Sequence, residues 1–256
     1  MVDALSDVSL TIARGAKYGV VGESGSGKTT LMRLIAGLDR PTQGRVCVNG
    51  RDLTGLRESQ LGFLRRAVQI VFQDPMGSLD PRMRVRDIVA EPLQVQGFPD
   101  VDEAVGTALE QVGLPPSAAR RYPHQFSGGQ RQRISIARAI APNPEILLAD
   151  EAVSALDVTV RAQILALLED IAAQRGLTLI FVSHDLSVVR RICDEVAVLK
   201  DGRLVESGRT ERVYDSPAEP YTRQLLAAVP TLAKSLAAAR DRRRPGMPTD
   251  EAVSDS

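Results

Sequence analysis

The chain has 256 residues, 32 acidic and 32 basic side chains, and two cysteines, Cys47 and Cys193. Zero formal net charge excludes a whole-molecule field toward nucleic acid or an anionic membrane, so binding is expected at local sites. Two distant cysteines without ligand-spaced partners argue against a disulfide framework or a metal cluster. The first twelve residues alternate polar and apolar types and lack a secretory signal pattern. No apolar run approaches the roughly 20 residues that span a bilayer, so any membrane part is expected from another chain.

In chain order, residues 18–21 read as a strand entering a Gly-rich loop, and 29–36 as a helix stopped by Gly37. Residues 46–48 end at Asn49-Gly50, a hairpin signal. A strand over 68–72 precedes Gln73-Asp74-Pro75, where proline discourages further pairing. Helical spacing follows over 102–112, then a Pro-broken connection over 114–125, then a basic amphipathic helix over 130–139. Buried-type strands at 146–149 and 177–182 flank a helix over 160–173, and Asp201-Gly202 marks a second hairpin between 196–199 and 203–206. This alternation predicts an α/β fold with a mainly parallel sheet. Residues 1–230 read as one domain and 231–256 as a disordered tail, because the period of apolar residues stops there.

Gly22-Glu23-Ser24-Gly25-Ser26-Gly27-Lys28-Thr29 has the spacing G-x-x-x-x-G-K-[ST], between a strand and a helix, with Thr30 next. Glycines let backbone N–H groups converge on phosphate oxygens, the helix N-terminus adds positive potential, Lys28 reaches the β and γ phosphates, and Thr29 can ligate Mg2+. The strand over 146–149 ends in Asp150-Glu151. Taken alone, such a pair is as often a helix cap or surface charge. Beside a phosphate loop, Asp150 suits the Mg2+ shell and Glu151 suits polarising the attacking water. Ser127-Gly128-Gly129-Gln130 opens the basic helix and forms a second anion-binding helix start. A second such site points to phosphate held by another copy, and so to a dimer.

In motif order, the sequence resembles the ATP-binding-cassette (ABC) ATPases over about residues 3–230. The phosphate loop is followed by Gln73, then Phe126-Ser127-Gly128-Gly129-Gln130-Arg131-Gln132-Arg133, then Asp150-Glu151, Ser154-Ala155-Leu156-Asp157, and His184 after Phe181-Val182-Ser183. The resemblance implies a P-loop NTPase core, an N-terminal antiparallel β subdomain lacking its first strand, and a helical subdomain at about 74–140. It also implies two ATP molecules sandwiched between two subunits, with Ser127 and Gly129 on the γ-phosphate in trans and Gly128 and Gln130 beside them. Gln73 then senses Mg2+ and the membrane partner, His184 holds the γ-phosphate and the water, and Glu151 is the base. Alone, His184 at a strand end would more often be structural. No catalytic role is expected for His124.

Residues 73–83 and 220–226 resemble the peptide and nickel importer branch. That resemblance implies an energising subunit at the cytoplasmic face of the cell membrane. Its implied partners are transmembrane permease subunits, a second ABC ATPase that is the same or a related chain, and an extracytoplasmic solute-binding protein. No direct nucleic-acid partner is expected. Three alternatives stand beside it: an accessory ATPase of a non-transport complex of the phosphonate-breakdown type, a soluble cassette acting on nucleic acid or ribosomes, and a nonfunctional truncated cassette. One cassette without sustained heptads disfavours the second. The sequence departs from the family at Ala152, where many relatives have proline. It also has no Phe, Tyr or Trp before Tyr18 to stack on adenine, and no C-terminal cysteine cluster.

Overall fold

The structure is a computed structural model that describes residues 4–228. The expected tail at 231–256 lies outside the described residues. The chain runs through β1 (Lys17–Val21), α1 (Lys28–Ile35), β2 (Cys47–Val48), β3 (Arg51–Asp52), α2 (Gly62–Ala67), β4 (Val68–Val71) and α3 (Pro75–Ser78). Next come α4 (Val85–Val95), α5 (Val101–Gln111), α6 (Gly128–Ile140), β5 (Ile146–Asp150), α7 (Val158–Arg175), β6 (Thr178–Ser183) and α8 (Leu186–Ile192). The last elements are β7 (Glu195–Lys200), β8 (Arg203–Arg209), α9 (Thr210–Asp215) and α10 (Pro220–Ala228).

Six strands form one sheet in the order β4-β5-β6-β1-β7-β8, all parallel except β8, which returns antiparallel to β7. All six residues of β6 are buried, as a parallel strand covered on both faces requires. Period-two alternation splits these strands between two cores. Leu147, Ala149, Leu179 and Phe181 face one cluster with residues of α4 to α8, and Leu148, Ile180 and Val182 face another with α1 and α2. At Gly19 a Cβ would lie 2.3 Å from Val189 Cγ1, so the missing side chain lets α8 pack onto β1.

The antiparallel part is a hairpin, β2 with β3, turned by Asn49-Gly50. Leu5, Val8, Leu10 and Ile12 pack against the second core but join no ladder. The Pro-broken connection at 114–125 contains two 3-10 turns, Pro116–Arg120 and Pro123–Gln125, each with proline in its first turn. There the fixed φ of proline suits the helical start. Helix α7 begins two residues earlier than its apolar spacing predicts. The Asp157 carboxylate accepts from the amides of Thr159 and Val160, and Gly176 closes the other end at φ 61°. No helix among the described residues is long and apolar enough to cross a membrane.

The sheet register positions the site. Val21 pairs with Ser183, Asp150 with Val182, and Val71 with Ala149, so the carboxyl ends of β1, β4, β5 and β6 end side by side. Gly22, Gln73, Glu151 and His184 follow those ends within two residues. Ligands of open α/β sheets bind at this edge.

Candidate nucleotide site

Between β1 and α1 the chain makes a loop that side chains could not enter at two points. A Cβ on Gly22 would lie 2.3 Å from the Leu199 carbonyl and 2.5 Å from Ser26 Oγ, and Gly27 sits at φ 100° with the Ala4 carbonyl 2.7 Å from its would-be Cβ. Gly27 is the N-cap of α1 and supplies no side-chain cap, so the first amides of the helix remain open to an anion. Lys28 is buried, and its Nζ donates to the carbonyls of Gly22 and Glu23, each at 2.7 Å. Burial lowers its pKa, opposed by Glu151, Asp150 and Glu23. Ser26 is 4% exposed, and its Oγ has no partner among the described residues. A buried cation, open helix amides and an unpartnered hydroxyl in a glycine-rich loop fit a polyphosphate.

At the neighbouring strand ends, Gln73, Glu151, Ser154 and His184 converge. His184 Nδ1 lies 2.9 Å from Glu151 Oε1, and Gln73 Nε2 donates to Glu151 Oε2 at 3.0 Å and to Ser154 Oγ at 3.3 Å. The Glu151 side chain is 18% exposed, whereas His184 is 57% exposed and open toward solvent. Glu151 adopts φ 44°, uncommon for a residue with a Cβ. Its amide extends the β5–β6 ladder by donating to Val182, and its carbonyl accepts from Ser154 in the following turn, anchored by buried Ala152 and Val153. One carboxylate is therefore held by two side chains from two different strand ends. With Gln73 donating to one oxygen, a neutral His184 that donates from Nδ1 leaves Nε2 as an acceptor.

Asp150 ends β5 and is partly buried. Burial first, then Glu151, pushes its carboxyl above the ordinary value of 3.8, while Lys28 pulls it down. The ionised form is thus disfavoured on folding. The neutral carboxyl's contribution to stability is fully present below pH 3.8 and is lost as pH rises through the raised folded value. Asp150→Asn is accordingly expected to raise the unfolding midpoint of the nucleotide-free chain at pH 7, by about 2–4 °C for each kcal/mol relieved. Lys28 keeps Glu151, the larger of its compensating charges. The same variant is expected to lose most of the additional midpoint rise that MgATP gives the unaltered chain. Melting curves with and without MgATP check both; a lower midpoint without nucleotide contradicts the first expectation.

The second helix start is more closed than its sequence predicts. Ser127 Oγ accepts from the Gln130 amide at 3.3 Å and Gln130 Oε1 accepts from the Ser127 amide at 3.0 Å, a reciprocal cap that takes two of the amides. Gly128 and Gly129 lie between them. Gly128 is exposed, with open space where a Cβ would be, whereas a Cβ on Gly129 would meet Val160 Cγ1 at 2.5 Å. Among the described residues no hydrogen bond joins this cap to the phosphate loop. Thr29 is exposed and Thr30 half-buried on the first turn of α1, Tyr18 is 3% exposed within the core, and His124 stacks on Tyr122. The sequence reading missed one contact altogether: the Tyr221 hydroxyl on α10 accepts from the Glu23 amide at 3.3 Å, across 198 positions. No local spacing could signal it.

These are the parts of a phosphate-loop nucleotide-binding protein. Residues 5–154 match the family model described as ABC transporter, and residues 205–254 match the one described as oligopeptide/dipeptide transporter, C-terminal region. The chain is 49% identical over 230 residues to a putative peptide import ATP-binding protein of Brucella ovis, covering 89% of this chain and 73% of that protein. It is 45% identical over 245 residues to the oligopeptide transport ATP-binding protein AppF of Bacillus subtilis, covering 94% and 74%. Among solved structures, the dimeric post-hydrolysis state of the ATP-binding cassette MJ0796 with ADP and Pi superposes with a TM-score of 0.74 at 32% identity, covering 82% of this chain and 91% of that one. The chain belongs to the ABC transporter family of ATP-binding proteins.

Proposed function

We propose that this chain binds and hydrolyses Mg-ATP to energise an importer of peptides or a similar small solute. The observation that carries the reading is the Glu151 carboxylate, held by Gln73 and His184 at the sheet edge that also carries the Lys28 loop. In this reading, residues 22–30 cradle the phosphates, with the Lys28 ammonium on the β and γ groups. Glu151 accepts the proton of the attacking water, because it is the only member of the cluster that is purely an acceptor when ionised. His184 orients water and γ-phosphate, and Gln73 reports on the state of the site to the membrane partner. The oxygen donors Thr29 and Asp150, with Gln73, suit a Mg2+ that keeps most of its ligands from phosphate and water. When bound, that ion neutralises charge developing on the phosphates.

A second copy, or a related cassette, completes the site through Ser127, Gly128, Gly129 and Gln130. The exposure of Ser127, Gly128 and Gln130 supports that role, as does the dimeric form of the MJ0796 cassette. Residues 1–230 act as one ATPase unit, in which the helices at about 74–140 carry the signature cap. Phe72 and Met76, 41% and 57% exposed on either side of Gln73, offer a permease an apolar foothold at the cytoplasmic membrane face. The substrate is bound by other chains, a permease and an extracytoplasmic solute-binding protein. The names of the relatives favour import over the non-transport alternatives.

The test is reconstitution. The chain is captured with its membrane subunits from solubilised source membranes and placed in proteoliposomes, where it is expected to drive ATP-dependent accumulation of a labelled tripeptide. Capture with a soluble enzyme complex and no membrane subunit would sink the importer reading.

A further inference from the structure

The segment after β7 braces the phosphate loop at two points. Where β7 turns into β8, the Gly202 amide donates to the Ser26 carbonyl at 3.1 Å. At the other end of the loop, the Glu23 amide donates to the Tyr221 hydroxyl. That amide belongs to the peptide unit whose carbonyl, on Gly22, accepts from Lys28 Nζ at 2.7 Å. A peptide unit is planar, so Tyr221 and Lys28 hold opposite edges of one rigid plate. The next carbonyl, on Glu23, accepts from Lys28 Nζ at 2.7 Å and from the Ser26 amide at 3.2 Å. The orientation of the Gly22–Glu23 peptide thus fixes where the lysine and the middle of the loop sit.

Tyr221 is itself firmly placed. It is 7% exposed, and Lys200 Nζ, at the end of β7, lies 4.8 Å from its ring centroid. The start of α10 is tied to the sheet through Glu206 on β8, whose carboxylate accepts from the amides of Ala218 at 2.8 Å and Glu219 at 3.2 Å. Burial raises the pKa of the phenol, the Glu23 amide hydrogen bond opposes that rise, and the Glu23 and Asp201 charges add to it. A continuous path therefore runs from Glu206 through the first turn of α10 and Tyr221 to the loop that carries Lys28.

We propose that Tyr221 is a positioning residue for the phosphate loop, so that nucleotide affinity depends on the seating of α10. The inference rests on the nucleotide-binding reading of that loop. The region that matches the oligopeptide/dipeptide transporter C-terminal model begins at residue 205 and contains both Glu206 and Tyr221. A branch-specific segment thereby acts on the general phosphate site, and whatever lifts α10 weakens nucleotide binding.

The test uses the full 256-residue chain and the variant Tyr221→Phe, which keeps the ring, its burial and the Lys200 contact and removes only the hydroxyl. Calorimetric titration with MgADP is expected to show about threefold to tenfold weaker binding, the range of one neutral hydrogen bond. The unfolding midpoint without nucleotide is expected to fall by no more than about 2–4 °C, the share of one hydrogen bond, and KM for ATP to rise with kcat at saturation unchanged. Unchanged affinity overturns the proposal, as does weaker binding accompanied by a larger fall in the midpoint, which marks a purely structural role. Lys28→Ala separates the two readings: if neither the unaltered chain nor this variant binds MgADP, the nucleotide site itself is wrong and the Tyr221 proposal falls with it.

Discussion

Replacing Glu151 by glutamine is expected to slow steady-state ATP hydrolysis by about 10²- to 10⁴-fold, the usual contribution of a positioned general base, while MgATP binding persists. The geometry explains both halves. Glu151 stands apart from the phosphate loop's own hydrogen bonds, so its loss leaves the cradle formed by Gly22, Glu23 and Lys28 intact. Its two oxygens accept from Gln73 and face His184 Nδ1. A glutamine there keeps the shape but offers one acceptor oxygen and one NH2 group. One neighbour therefore meets a donor, and His184 must present its other tautomer or turn away. The variant is expected to accumulate nucleotide-bound protein, read by retention of radiolabelled ATP on a desalting column. Hydrolysis within a few-fold of the unaltered chain would remove Glu151 from its role as base.

The second large effect is expected at Lys28. Its Nζ lies at the mouth of the loop, already stripped of much of its water, with Glu151, Asp150 and Glu23 favouring its charge. Loss of one partner of a buried, hydrogen-bonded charge pair costs about 2–5 kcal/mol, so Lys28→Ala is expected to weaken MgATP binding by about 30-fold or more. Hydrolysis falls with it. The same ammonium ties the Gly22 and Glu23 carbonyls, so the loop of the variant is also looser without ligand. Titration calorimetry beside a melting curve separates the two causes, and an unaltered Kd for MgATP would mean that the lysine does not face phosphate.

The parts of this site were legible in the sequence to different depths, for a physical reason. The phosphate loop is a local object: its glycines, lysine and threonine lie within eight consecutive positions and shape one turn. The Asp150-Glu151 strand end was readable as a strand with a carboxylate, but its use depended on which strand lay beside it. Period and composition did not specify the order β4-β5-β6-β1-β7-β8. That order and its register bring Gln73, Glu151 and His184 together, and before the structure only the resemblance to the ABC family linked them. The Ser127 helix start was read as open, yet Gln130 folds back to cap it. Tyr221 was legible as part of a branch-like segment but not as a brace for the phosphate loop. That contact depends on how β8 and α10 return over the sheet edge.

The most direct measurement is Mg-dependent ATP hydrolysis by the purified chain across a wide range of protein concentration. If two copies share each nucleotide, activity per molecule rises with concentration until dimers saturate, and Glu151→Gln and Lys28→Ala stay near baseline throughout. Activity per molecule that is independent of concentration, or that is matched by either variant, would contradict a site completed by a second cassette and chemistry centred on Glu151 and Lys28.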